Sequence, residues 1–509
     1  MTTTNQSTPT RDEGVTAPPA GTTLLLVAVL GGMLLAMLDQ TIVSTALPRI
    51  IGDLHGENVY SWVVTAYLLS ITITGPLYGR LSDRYGRKPL LLIGVSLFLL
   101  GSALCAGAQN MPQLIAYRGL QGLGAGALMP LSLALVADLF PVDRGSRVQG
   151  ALGGVMALSY VAGPFVGGML TDHATWRWVF LVNLPLGALV LVVVAARLPG
   201  VARLRGAARL RGAARLPGAG WPTGRSRPDY LGIAVFTAAI TTLLLGLTEK
   251  SRAGILPWSD TRVAGPLLAS AVLLVAFCWV ESRAAEPIVP LTLFRNRTYT
   301  LANVASMGSA FALYASIVFL PRYFQTVRGA SATASGLRIY PLLLGMVLTS
   351  VLTGALIGRT GRYRPWLVIG GLLLGAGALL FTRLDAGTPT WQLVGWMLLV
   401  GAGIGPTLSG LTVAVQTCVT SGYVGTATSN LGFFRQIGGA LALAIANTSY
   451  VQVIHEQAGA HGLRIASGMA TGVVMPALVT VGAVTLFGAA LLMPRRPDDG
   501  GGNGLGNRR

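Results

Sequence analysis

Two charged residues interrupt apolar stretches that are otherwise long enough to cross a lipid bilayer. Asp39 lies well inside the first stretch, and Arg118 lies inside the fourth. Burial favours the neutral form of a carboxyl group, so Asp39 could take up and release a proton, whereas arginine keeps its charge and needs an acceptor. These residues predict proton or cation binding. In the structural alternative, the Thr41 hydroxyl forms a hydrogen bond with Asp39, and Arg118 only anchors its helix.

Two further polar pairs occur at similar depth. Gln121 follows Arg118 by one helical turn and shares its face. Arg435 and Gln436, in the thirteenth stretch, form a comparable pair in the second half of the chain. We treat Gln121, Arg435 and Gln436 as second-tier candidates for polar groups that line the pathway inside the helical bundle.

The segment 79–91 reads GRLSDRYGRKPLL and lies between two apolar stretches. Its four cations cannot lie in hydrocarbon, so the segment predicts a tight turn at the membrane surface. Gly79 and Gly86 permit a sharp reversal and close approach of the two helices. The cations are Arg80, Arg84, Arg87 and Lys88.

The same turn carries one acidic residue. Asp83 can accept hydrogen bonds from the following helix, and Arg84 or Arg87 can reach Asp138 at the end of the fourth stretch. These contacts predict a switch that holds one face of the bundle closed. The alternative, that the cations only fix topology, leaves the acidic residue and the glycines unexplained.

The composition indicates an integral membrane protein. The 509 residues are 52% hydrophobic and 11% charged, with a mean hydropathy of +0.63, whereas soluble domains carry about 25% charged residues. The net charge of +19 is spread over short segments between apolar stretches. This distribution favours an inside-positive topology over nucleic-acid binding.

Fourteen apolar stretches of roughly 20 residues predict an all-α membrane protein with two six-helix bundles and two inserted helices. Both termini then lie on one side, which the arginine-rich segments identify as cytoplasmic. In chain order we predict an N-terminal tail at 1–21, a bundle at 22–196, a basic low-complexity linker at 197–228, the inserted helices at 229–282, a second bundle at 283–493 and a C-terminal tail at 494–509.

A partly conserved internal repeat supports the prediction of two related bundles. The segment GALIGRTGR at 354–362 places its glycines and arginines 275 residues after those of the first turn, and Gly358 replaces Asp83. Only the first turn keeps an acidic residue. We therefore predict that Asp83, rather than the arginines, is the switch element.

Five separated segments resemble one known family, the major facilitator superfamily, and within it the fourteen-helix drug:proton antiporter branch of EmrB/QacA type. The resemblance covers all but the linker and the tails. The matching segments are LDQTIVSTALP at 38–48, GRLSDRYGRK at 79–88, RGLQGLGAG at 118–126, GPFVGG at 163–168 and WRWVFLVNLPLG at 176–187.

The resemblance implies a bacterial proton-coupled antiporter that exports drugs or antibiotics by alternating access, acts as a monomer in the cytoplasmic membrane, and needs no cofactor and no nucleic acid. Its partners are a small-molecule substrate, protons and the lipid bilayer. It implies proton coupling at Asp39 and Arg118, a cytoplasmic gate of Gly79, Asp83, Arg84, Gly86, Arg87 and Asp138, an antiporter motif of Gly163, Pro164, Gly167 and Gly168, and pathway residues Gln121, Arg435 and Gln436.

Other functions find less support. The three cysteines and four histidines lack metal-ligand spacing and a nucleophile motif, and no GxxxxGK[ST] phosphate loop occurs. The sequence therefore predicts neither an enzyme nor an ATP-driven pump. A proton-coupled importer of a small metabolite and a non-transporting receptor are the alternatives. A lone deep carboxylate favours cationic or neutral lipophilic substrates.

Overall fold

The computed structural model describes residues 22–56, 61–139, 145–198, 229–252, 256–284, 287, 291–419 and 424–494. These residues form 16 α-helices and one short 3₁₀ helix, Leu291–Arg295. Helices satisfy their backbone hydrogen bonds internally, which is why a chain this apolar adopts them in a bilayer.

The first helical group occupies the N-terminal part of the chain. Within it, α2 and α3 both pack on α4, and α1 packs on α5 and α7. Its members are α1 (Thr22–Leu54), α2 (Ser61–Tyr85), α3 (Arg87–Ala106), α4 (Met111–Leu139), α5 (Gly145–His173), α6 (Trp178–Leu181) and α7 (Asn183–Arg197). We name the face at which α1 begins the terminal face, and the opposite face the distal face.

Two further helices, α8 (Tyr230–Arg252) and α9 (Thr261–Arg283), pack against each other and form the inserted pair. The outward side of α9 is apolar, and four of its large side chains are more than half exposed: Leu268, Val272, Val275 and Trp279. A continuous apolar surface of this kind suits contact with lipid.

The second helical group repeats the packing of the first. Here α12 and α13 pack on α14, and α10 packs on α15 and α16. Its members are α10 (Arg297–Thr326), α11 (Ala332–Arg338), α12 (Tyr340–Thr360), α13 (Arg364–Phe381), α14 (Thr390–Cys418), α15 (Val424–His461) and α16 (Leu463–Leu492).

Ten helical segments among the described residues are long and apolar enough to cross a membrane, and two shorter apolar helices lie at 62–75 and 231–247. The protein is thus an all-helical, multi-pass membrane protein. The predicted count of fourteen crossings goes beyond these candidates and stays a prediction.

The two groups meet along two seams. At one seam α5 packs on α11, and at the other α2 packs on α15. The inserted helix α8 packs on α15 and also touches α2. Phe236 and Ile240 of α8 form an apolar cluster with Phe433 and Ile437 of α15. The inserted pair therefore covers the second seam.

The repeat found in the sequence is visible in the backbone. Gly86, between α2 and α3, has φ 92° and ψ 157°, and Gly361, 275 residues later at the end of α12, has φ 67° and ψ 4°. Both conformations lie at positive φ, where a side chain is unfavourable. Each turn thus needs its glycine for conformational reasons.

We expect Gly86→Ala to destabilise the protein by about 1–3 kcal/mol, because its φ and ψ fall in a region that is essentially restricted to glycine. The measurement is the thermal unfolding midpoint of the purified protein in detergent. Gly358→Ala is the matched control, since a Cβ at this helical position meets nothing within 4 Å. Equal midpoints for the two variants would contradict the prediction.

Candidate functional site

The deepest charged groups of the first helical group form an ion pair. Arg118 Nη1 of α4 donates to Asp39 Oδ2 of α1 over 2.5 Å, and both side chains are 0% exposed. The two opposite charges compensate each other at a position that water does not reach.

Two amide side chains complete the surroundings of the carboxylate. Gln121 Nε2 and Asn183 Nδ2 each donate to Asp39 Oδ1 over 2.9 Å. Both amides also donate to Ser102 Oγ, over 3.2 and 3.0 Å. Both carboxylate oxygens of Asp39 therefore have partners within a buried polar network, which a buried charge requires.

The guanidinium of Arg118 is held by α2 as well. Its Nε donates to the Val63 carbonyl oxygen over 3.1 Å, and its Nη1 donates to Gln121 Oε1 over 2.7 Å. The Tyr67 ring lies 3.9 Å from the guanidinium carbon, and the Tyr67 hydroxyl donates to the Ala36 carbonyl oxygen. These contacts fix Arg118 opposite Asp39.

The Thr41 hydroxyl does not form a hydrogen bond with Asp39, contrary to the structural alternative. Its hydroxyl lies 3.0 and 3.1 Å from the carbonyl oxygens of Leu38 and Ser159. The hydroxyl therefore ties α1 to α5 and leaves the carboxylate to the polar network.

A small central cavity lies between the two helical groups. It holds about 20 Å³, which is room for one water molecule. Its lining is apolar or uncharged throughout: Gln40, Thr41, Ser44, Val64, Tyr160, Leu313, Tyr314, Ile317 and Val318. Asp39 is not part of this lining, because it points into the first group.

Arg435 and Gln436 of α15 lie on the part of this helix that packs against Tyr314, a lining residue of the cavity. The Tyr314 hydroxyl donates to Gln436 Oε1 over 2.6 Å. Gly439, one helical turn after Arg435 and on the same face, packs against the Tyr314 ring, where an added Cβ would lie 2.5 Å from ring carbons. The structure thus places both α15 candidates next to the cavity lining, whereas Gln121 belongs to the buried network.

The GPFVGG segment is a close-packing surface on α5. A Cβ at Gly163 would lie 1.9 Å from Thr41 Oγ1, and one at Gly167 would lie 2.6 Å from the Ile42 carbonyl oxygen. Only residues without a side chain allow α1 and α5 to approach this closely.

The same surface continues across to the second helical group at the distal face. A Cβ at Gly168 would lie 2.4 Å from Thr333 Cα, and one at Gly336 of α11 would lie 2.2 Å from the Pro164 carbonyl oxygen. Nearby, the Asp172 carboxylate accepts the backbone N–H groups of Ala332 and Thr333 over 3.0 and 2.7 Å. The two groups are therefore closed against each other at the distal face.

A family model described as Major Facilitator Superfamily matches residues 29–443, which include the ion pair, the cavity and the GPFVGG surface. The chain belongs to the major facilitator superfamily. Membership makes it a transporter rather than an enzyme, and a transporter of this superfamily binds a small-molecule substrate.

Two relatives of this facilitator carry multidrug names. It is 34% identical over 423 residues to the multidrug transporter protein MdtP of Bacillus subtilis, covering 83% of this chain and 74% of the relative. It is 32% identical over 440 residues to multidrug resistance protein 3 of the same organism, covering 86% and 81%. An uncharacterized MFS-type transporter of Mycobacterium tuberculosis is 36% identical over 456 residues, 90% of this chain but 63% of the relative.

A solved structure supports the facilitator fold. The chain superposes on a bacterial homologue of the human lysosomal transporter Spinster, in an inward-facing and unoccupied conformation, with a TM-score of 0.62 and 16% identity. The match covers 94% of this chain and 98% of that one. The architecture of the two proteins is therefore the same.

The predicted gate of the facilitator is only partly visible. The structure does not describe three of the predicted gate side chains, those of Asp83, Arg84 and Asp138. The backbone at Gly86 and the partly buried Arg87 are described, and Lys88 Nζ donates to the Ala195 carbonyl oxygen over 2.7 Å. The turn is thus tied to α7, and the contact between Arg84 or Arg87 and Asp138 stays a prediction.

Sequence reasoning missed three residues of the buried network. Asn183, Ser102 and Tyr67 all contact Asp39, Arg118 or their amide partners. Asn183 lies inside the WRWVFLVNLPLG segment and was visible as a lone amide in an apolar stretch. A serine and a tyrosine in membrane helices are too common to be singled out.

Proposed function

We propose that this facilitator is a fourteen-crossing drug:proton antiporter of EmrB/QacA type, which exports small lipophilic compounds by alternating access. The observation that carries the proposal is the Asp39–Arg118 pair, buried within one helical group. An ionisable pair at this depth is functional by default. The names of the two Bacillus relatives support the substrate class.

In this proposal the terminal face is cytoplasmic in a bacterial cell, because the arginine-rich segments adjoin it. The first group is the N-terminal bundle at 22–196, the second is the C-terminal bundle at 283–493, and α8 and α9 are the insert at 229–282. A monomer contains both bundles and therefore the whole pathway.

Proton binding would act on the ion pair. A proton on Asp39 removes the charge that Arg118 faces, while Gln121 and Val63 still accept from the guanidinium. The strongest contact between α1 and α4 then becomes an ordinary hydrogen bond, which is roughly half as strong. The packing of α1 can change at that point, and α1 also lines the central cavity.

The free energy stored in a proton gradient is sufficient to drive the proposed export. A proton motive force of about 150 mV supplies about 3.5 kcal/mol for each proton. At about 1.4 kcal/mol per tenfold change, this sustains a concentration ratio of about 300-fold. One exchanged proton for each exported molecule would thus be adequate for drug resistance.

The turn at 79–88 is the proposed cytoplasmic gate. In this proposal Asp83 is its switch, Gly79 and Gly86 permit its sharp reversal, and Arg84 or Arg87 would pair with Asp138. The GPFVGG surface supports export rather than import, since Gly163, Pro164, Gly167 and Gly168 resemble the antiporter motif and lie at the seam where the bundles close.

We expect Asp39→Asn to abolish proton-driven transport while substrate exchange without a pH gradient persists, because asparagine preserves the shape of the side chain but cannot bind a proton. Drug susceptibility of a pump-deleted host, with and without an uncoupler, identifies a substrate. Flux of that substrate in proteoliposomes under an imposed pH gradient is then measured for both proteins.

Glu456→Gln is the matched control, because this exposed carboxylate on α15 accepts only from Gln452 among the described residues and lies far from the ion pair along the chain. It should transport at the wild-type rate. Proton-driven flux at the wild-type rate in Asp39→Asn would overturn the proposed coupling site.

A further inference from the structure

Arg435 is a charged side chain to which the described residues supply no counter-ion. It is partly buried on α15, and among the described residues it forms neither an ion pair nor a hydrogen bond. Gln436 bonds to the Tyr314 hydroxyl, and Gly439, one turn after Arg435 on the same face of α15, packs against the Tyr314 ring. Tyr314 lines the central cavity. A guanidinium carries five N–H donors, so this position has unused binding capacity.

The acidic residues of the described chain do not balance this charge. Asp39 is neutralised by Arg118 and is 0% exposed, so it presents no charge to the cavity. None of the residues that line the cavity is acidic. Arg435 therefore contributes an uncompensated positive charge on the face of α15 that packs against Tyr314.

The lining adds groups that suit an amphiphilic ligand. Tyr160 and Tyr314 offer aromatic faces, Leu313 and Ile317 offer aliphatic contact, and Gln40 offers an amide donor. An aromatic or aliphatic body with one acidic group would match this set. A lipophilic cation would instead meet an unpaired positive charge in an apolar surrounding, which is unfavourable.

We propose that the exported compounds are lipophilic organic anions, such as carboxylates and sulfonates, whose charged group pairs with Arg435. This assignment rests on the proposed antiport function and reverses the preference for cations that the lone deep carboxylate suggested. Arg435 recognises the substrate, and the Asp39–Arg118 pair binds the proton.

The charge of the substrate determines the electrical behaviour of the exchange. When one proton enters and one monovalent anion leaves, two positive charges move inward in net terms, so an inside-negative potential accelerates transport. Exchange of a proton for a monovalent cation moves no net charge. The two substrate classes are thus distinguishable by the response to membrane potential alone.

Three probes of similar size test the assignment: 8-anilinonaphthalene-1-sulfonate as the anion, ethidium as the cation and N-phenyl-1-naphthylamine as the neutral compound. Binding to the purified full-length protein is measured by equilibrium dialysis. We expect the anion to bind best and Arg435→Gln to weaken its binding about 10- to 100-fold, as for loss of a hydrogen bond to a charged group. Arg435→Lys should recover part of the affinity.

Arg262→Gln is the matched control, since this exposed arginine lies on the inserted helix α9. It should leave binding of all three probes unchanged, and Arg435→Gln should leave binding of the neutral probe unchanged. Tighter binding of ethidium than of the anion, or an equal loss for all three probes in Arg435→Gln, would overturn the assignment.

Flux in proteoliposomes separates this inference from the proposed function. Absence of proton-driven flux of any probe contradicts the antiport function, while the dialysis experiment still decides the charge preference. Proton-driven flux that responds to pH but not to an imposed potential contradicts the anionic substrate and leaves antiport standing.

Discussion

Arg118→Leu is expected to destabilise the protein by about 3–5 kcal/mol, because it leaves Asp39 as an uncompensated charge inside the first bundle. The loss should appear as a lower thermal unfolding midpoint of the purified protein. Proton-driven transport should also be lost. Asp39 keeps its bonds from Gln121 and Asn183, but neutral donors do not replace an opposite charge.

The double variant Asp39→Asn, Arg118→Leu distinguishes charge from packing. Removing both charges should restore most of the unfolding midpoint without restoring transport. The exposed pair Arg49–Asp53, at 3.8 Å, supplies the control: Arg49→Leu should cost less than about 1 kcal/mol. Equal losses for Arg49→Leu and Arg118→Leu would contradict the importance assigned to the buried pair.

Gly336→Val is expected to prevent closure at the distal face. The added Cβ would lie 2.2 Å from the Pro164 carbonyl oxygen, and backbone atoms cannot move aside as a flexible side chain can. Overpacking of this kind costs about 1–3 kcal/mol, which shifts a conformational equilibrium about 5- to 150-fold. Spin labels at His173→Cys and Thr326→Cys, in a background without native cysteines, should report longer distances, and transport should fall accordingly.

Gly395→Val is the control for this experiment. A Cβ at that position on α14 meets nothing within 4 Å, so the label distances and the transport rate should match those of the parent protein. A Gly336→Val variant with parental distances and full transport would show that the α5–α11 seam is not needed for alternating access.

The sequence predicted that Asp39 and Arg118 lie inside the helical bundle, where both are buried, but not which way their side chains point. Asp39 and Arg118 stood out because charges are rare in apolar stretches. The helices α1 and α4 are apolar on nearly all sides, so no hydrophobic stripe reveals the inward face. The pairing of the two charges, and the exclusion of Asp39 from the cavity, required the packing of the helices.

The internal repeat predicted the two related halves of the chain but not how the halves contact each other. The constant spacing between Gly86 and Gly361 predicted two related halves, and both turn glycines indeed adopt positive φ. The contacts of α11 with α5 could not be anticipated, because they depend on how one half meets the other. Pairs such as Asp172 with the backbone of Ala332 are 160 residues apart and share no local pattern.

Helix α1 separates the buried ion pair from the central cavity. Successive residues of a helix point about 100° apart, so Asp39 faces the buried network while Gln40 faces the cavity. In the proposed antiport, the proton and the exported molecule would therefore not compete for one binding site. A rotation of α1 would change both surroundings together, so the proposed coupling would be mechanical rather than competitive.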